Sequence, residues 1–168
     1  MWRRYWQLYL KVEQIARRGV RRDGKEGVMA HVIPAAGWSA EDFIAHRRKL
    51  AGDGRDAVRR LDDELERLPR TDVSLALDVY TRLAESVHVA DREAVAVRID
   101  LLLAVSPDRA AAIWRTLLAD SEKVIRLAAY ETLELARDEV ESGSADVLAL
   151  TEVLPPADLI REWGEGAC

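Results

Sequence analysis

Between residues 73 and 140 the chain repeats apolar side chains every three or four positions, the spacing of one face of an α-helix. Val73, Leu77, Tyr80, Ala84 and Val87 form the first stripe. Residues 92–105 follow, apolar nearly all round and broken mainly by Arg98 and Asp100, so that helix is expected to lie between its neighbours. Ser106 is placed to cap the next helix and Pro107 to open it, with Ala110, Ile113, Trp114 and Leu117 on one face. Ser121 is expected to cap a helix over 122–140, with Ile125, Ala128, Ala129, Leu133, Ala136 and Val140 inward. Glu122, Lys123, Arg126, Glu134 and Asp138 take its charged side.

Upstream, Ser39 with Asp42 three residues later reads as an N-cap opening a helix over 40–51, which Gly52 and Gly54 stop. Residues 55–68 place Val58, Leu61, Leu65 and Leu68 on one face, with Asp62, Asp63 and Glu64 outward, and Pro69 is expected to end the run. Trp2, Tyr5, Trp6, Tyr9, Val12 and Ala16 make a helical stripe over 2–18. Residues 28–33, before Pro34, read as an extended connector. Ser142, Gly143 and Ser144 form a turn before short helices over 145–154 and 157–163, split by Pro155 and Pro156. The expectation is an all-α fold of about eight helices in a single domain, 1–168. Within it, residues 1–38 form an irregular aromatic and basic region packed on the rest, and 71–163 a repeat-like part.

Composition excludes several classes. A chain of 168 residues can bury about 70% of its unfolded surface without disulfides or a structural metal. No run approaches the roughly 18 apolar residues of a membrane span, and the charged, aromatic start lacks the features of a secretory signal. The single cysteine, Cys168, fits a reducing cytoplasm. Arg outnumbers Lys 21 to 4 and Asn is absent, a bias that fits a GC-rich bacterial coding sequence. Charge is uneven: residues 1–60 carry 14 Lys and Arg against 7 Asp and Glu, and the remainder 11 against 23. The basic runs around Arg17–Arg22 and Arg47–Lys49 are read as solvated helix faces before a phosphate-binding footprint, because the pI of about 5.3 is acidic.

Two stretches align at an offset of 29 residues: Asp91 and Asp120 each stand four positions before a Val, with Arg98 and Arg126 further on. In the second, Asp120, Val124, Arg126, Ala129 and Leu133 resemble the second helix of a HEAT repeat. That resemblance, over roughly residues 73–140, implies that the Asp caps the helix, that Val and Ala pack inward and that the Arg ties neighbouring repeats. Leu102, Ala104, Val105, Ser106, Pro107 and Asp108, with Trp114 and Leu117, resemble a tetratricopeptide repeat boundary instead, although Tyr130 and Glu134 occupy places where that pattern wants small residues. An irregular helical bundle is the alternative to a repeat fold of either kind.

No nucleotide-binding, hydrolase, zincin or paired-cysteine motif occurs, and no cofactor is expected. Glu85 and His88 form a Glu-x-x-His pair, and Asp42 with His46 offers a partner pair, so a metal-dependent helical enzyme is the third-ranked function. The leading expectation, drawn from the resemblance, is a non-enzymatic adaptor or scaffold that binds another protein in a helix-lined groove. Its candidate contacts are Trp2, Trp6, Arg17, Arg18, Arg21 and Arg22, and on the 122–140 helix Arg126 and Glu134. Nucleic-acid binding by the basic half is the alternative, and a membrane surface ranks last.

Overall fold

The computed structural model describes residues 37–51, 55–141 and 143–152. Every regular element among them is helical, so the all-α expectation holds for this part. The helices of eight residues or more are α1 (Ala40–Ala51), α2 (Arg55–Thr71), α3 (Val73–Ala84), α4 (Val89–Ala96), α5 (Pro107–Leu118) and α6 (Lys123–Leu135). A 3₁₀ turn, Ile99–Leu102, follows α4. Two short helices, α7 (Arg137–Glu141) and α8 (Ala145–Leu148), and a 3₁₀ turn, Ala149–Glu152, complete the described part. The elements expected over 2–18, 28–33 and 157–163 lie outside the described residues.

Treating α4 and its 3₁₀ extension as one rod, each rod packs on the next and on the next but one. Thus α1 meets α2 and α3, α3 meets α4 and α5, and α4 meets α6, while α2 meets the 3₁₀ turn. The apolar stripes explain this order, because each helix buries a face against two neighbours. Phe43, Leu65, Leu68, Tyr80, Leu83, Ile99, Trp114, Leu117 and Ile125 form the centre of the core, all fully buried.

The helix starts correct the 29-residue alignment. Helices α3 and α5 begin at Val73 and Pro107, and α4 and α6 at Val89 and Lys123, in both cases 34 residues apart. Burial follows that register: Val79, Tyr80, Leu83, Val95 and Ile99 are matched 34 positions on by Ile113, Trp114, Leu117, Ala129 and Leu133, all buried. The counterpart of Arg126 is therefore Arg92, not Arg98. Val124, expected inward, is 45% exposed, and Ile125 beside it is buried.

Several expected boundaries move, each for a local reason. Pro69 does not end α2, which runs to Thr71. A proline there deprives the Leu65 carbonyl of its N–H donor, and the Tyr80 hydroxyl donates to that carbonyl at 3.0 Å instead. The helix expected over 73–87 closes earlier, with Glu85 as its C-cap, which leaves Val87 in a turn and 86% exposed. Ser121 is not the cap of α6. Glu122 stands at the N-cap without a side-chain cap bond, and in the turn before it the Asp120 Oδ1 accepts the Glu122 N–H at 2.8 Å. The apolar helix over 92–105 breaks after Ala96. There the Arg98 N–H turns to Val95 O at 2.9 Å, and the Arg98 guanidinium donates to Ala94 O at 3.2 Å. The Thr132 hydroxyl of α6 lies 2.8 Å from Ala96 O. The 122–140 helix is interrupted at Ala136.

Candidate functional site

The most organised polar feature is a ladder of arginines and acids along the turns that lead into α4 and α6. Asp91, on the first turn of α4, is 3% exposed and receives the guanidinium of Arg47, itself 7% exposed, from α1. Arg48 donates to the same carboxylate at 3.1 Å, and the Ser86 hydroxyl donates to it at 2.8 Å. Arg92 forks onto Asp120, with Nε at 2.6 Å and Nη2 at 3.2 Å, and sends Nη1 to Ser86 O at 2.8 Å.

The two turns share one local design. The Ser86 Oγ accepts the His88 N–H at 3.1 Å, as the Asp120 carboxylate accepts that of Glu122. Six residues after each of these oxygens an arginine folds back on the turn: Arg92 onto Ser86 O, and Arg126 onto Asp120 O at 2.8 Å and Ser121 O at 2.9 Å. A Ser or Asp two residues before the N-cap, with an arginine six positions after it, was the available sequence signal. It escapes a search for identical residues because Ser and Asp side chains close the same kind of turn onto the N–H two residues on.

The pairs offered as metal ligands do not converge. Glu85 closes α3 and His88 opens α4, so a helix boundary separates them and they do not share a helical face. Asp42 is the acid of the Ser39 capping box. Its Oδ2 accepts the Ser39 N–H at 3.0 Å and hydroxyl at 2.7 Å, and these bonds hold its carboxyl below the usual range. His46, one turn further along α1, sets its ring edge-on to Trp38 with centroids 5.1 Å apart. Among the described residues no group of three His, Cys, Asp or Glu is placed to hold a metal ion.

Of the proposed partner contacts, Trp2, Trp6, Arg17, Arg18, Arg21 and Arg22 lie outside the described residues. Arg126 is half-buried and folded onto its own turn, while Glu134 pairs with Arg137.

A groove of about 490 Å³ lies on the side formed by the end of α2, the chain after α4 and α8. Pro69, Leu101, Leu103, Val105, Pro107 and Val147 supply its apolar lining, and Glu66, Arg70 and Asp100 its charged groups. Glu66 is engaged with Arg98 at 3.5 Å. Gly143 also borders the groove, and a Cβ there would stand 2.8 Å from Val147 Cγ1 and 3.1 Å from Val140 O.

Comparison with known proteins gives no matching protein family, no similar curated protein and no similar solved structure. No helix among the described residues is long and apolar enough to cross a membrane.

Proposed function

We propose that the chain is a non-enzymatic adaptor or scaffold of the cytoplasm, a short α-solenoid that binds another protein in the groove beside α2 and the 3₁₀ turn. The observation that carries this reading is the regular succession of helix pairs, 34 residues apart at α3 to α5 and α4 to α6. Stacked pairs of this kind bury a common core and leave an extended groove for partners. The Arg92–Asp120 bridge supports a HEAT-like assignment, because an arginine there too ties one repeat to the next. The 34-residue spacing supports the tetratricopeptide alternative, which has that repeat length. Both belong to the same architectural class. The interior polar groups of the ladder are held by structural bonds, which favours binding over catalysis. Trp2, Trp6, Arg17, Arg18, Arg21 and Arg22 form a second proposed contact region.

The test is affinity capture from lysate of the source organism, with and without nuclease, repeated with Arg70→Glu and Ala104→Glu. Both side chains are exposed and border the groove, so these variants should fold as the parent does. A stoichiometric protein that survives nuclease and is lost with the groove variants supports the adaptor reading. Capture that vanishes with nuclease replaces it with nucleic-acid binding through the basic half, and capture untouched by both variants moves the interface away from the groove.

A further inference from the structure

Residues 97–105 form one wall of the groove and have an unusual backbone for their composition. The Val97 N–H still reaches four residues back, to Glu93 at 3.2 Å, but beyond it four N–H groups reach only three: Arg98 to Val95 at 2.9 Å, Leu101 to Arg98 at 3.1 Å, Leu103 to Asp100 at 3.0 Å and Val105 to Leu102 at 3.1 Å. Such 3₁₀ bonding rarely extends beyond three or four residues, because its hydrogen-bond geometry is poorer than that of an α-helix. The segment contains no glycine or proline, and Leu101, Leu102, Leu103 and Ala104 are among the strongest α-helix formers. Local preference and observed backbone therefore disagree, and a tertiary contact must tip the balance.

That contact is Thr132. Its Oγ1 stands 2.8 Å from Ala96 O and 2.8 Å from Ala128 O, and a hydroxyl has one proton to give. In a helix continuing from α4, Ala96 O would receive the Asp100 N–H and leave the hydroxyl to Ala128. In the form seen here the hydroxyl is positioned to cover Ala96 O, while the Arg98 guanidinium covers Ala94 O at 3.2 Å.

We infer that residues 97–105 are a two-state segment, exchanging between this 3₁₀ form and a continuous α-helix, with the Thr132 hydroxyl as the latch that sets the shape of the groove. The α form rises about 0.5 Å less per residue than the 3₁₀ turn Ile99–Leu102, so that stretch shortens by roughly 2 Å and rotates its side chains. Leu101, Leu103 and Val105 would then leave the positions from which they line the groove. The inference stands on backbone bonding and does not depend on what the groove binds.

The experiment is NMR on the full chain: relaxation dispersion at backbone amides, Cα chemical shifts and amide hydrogen exchange. Dispersion is expected at 97–105 and absent from α3 and α5, with amides of 98–105 exchanging with solvent about tenfold faster than those of α5. Thr132→Val removes the donor at nearly constant shape and should move the Cα shifts of 97–105 towards α-helical values while suppressing the dispersion. Thr132→Ser should keep both as in the parent. Flat dispersion across 97–105 in the parent protein overturns the inference, as do unchanged shifts in a folded Thr132→Val variant. If that variant does not fold, the parent's dispersion profile decides the matter by itself.

Discussion

Asp91 draws three donors from outside its own helix, and its burial makes them consequential. Arg47 comes from α1, and its own 7% exposure means that neither charge has water to fall back on. Breaking a buried pair by removing one member leaves the other charge uncompensated, at a cost of about 3–5 kcal/mol. Asp91→Ala is therefore expected to lower unfolding free energy by about 3 kcal/mol or more in urea titration. Asp42→Ala should have a much smaller effect, since that carboxylate is exposed.

Two carboxyls should also oppose each other in pH dependence. Asp42 titrates below its usual 3.8 because Ser39 donates to its ionised form. Its stabilising contribution is thus fully present above about pH 4 and is lost as pH falls through the lower folded value. Glu131 titrates above 4.5 because burial disfavours its charge. Its favourable contribution belongs to low pH and is lost as pH rises through the raised value. Glu131→Gln should then raise the melting temperature at pH 7 and lose that advantage near pH 4, whereas Asp42→Asn should flatten the acid limb of the stability profile.

At the scale of elements, the clearest coupling runs between a proline and a tyrosine eleven residues away. Pro69 removes a donor from Leu65 O, and Tyr80 supplies one from the next helix. Tyr80→Phe should cost about 1–2 kcal/mol, because a buried carbonyl loses its partner. In a Pro69→Ala background the restored N–H can serve that carbonyl, so the cost should shrink, a positive coupling that a double-mutant cycle reads directly. The turn before α8 gives a steric counterpart. Gly143→Ala would bring a methyl to 2.8 Å from Val147 and 3.1 Å from the Val140 carbonyl. A loss of about 1–3 kcal/mol is expected by thermal unfolding, as for overpacking elsewhere.

Across the whole molecule, the described helices share one core, since each buries a face against two others. Substitutions on the groove rim should leave that core alone: Arg70→Glu and Ala104→Glu are expected to shift the melting temperature by less than about 2 °C, as surface changes usually do. The ladder should behave differently. Arg92→Met removes the bridge between two successive turns and should lower stability by about 1–3 kcal/mol, the range of charged hydrogen bonds.

The apolar period, with its capping residues, predicted helices across the described residues from Ala40, and together they placed the starts of α1, α3 and α5 where the structure has them. Helical packing imposes a repeat of three or four on any sequence that must bury one face, so that information is local and legible. It also picked out Leu65, Tyr80, Trp114 and Leu133 as core. Tertiary structure alone decided which oxygen meets which donor. The break after Ala96 lies in a leucine-rich run free of glycine and proline, and it is met by Thr132 from 36 residues away. The 34-residue register was hidden because Ser86 and Asp120 close the same kind of turn without being alike, and Arg47 became a core residue only because α1 brings it to Asp91. Partners supplied across the fold leave no period behind in the chain, which is why the helices were readable from sequence and the ladder, the groove and the latch were not.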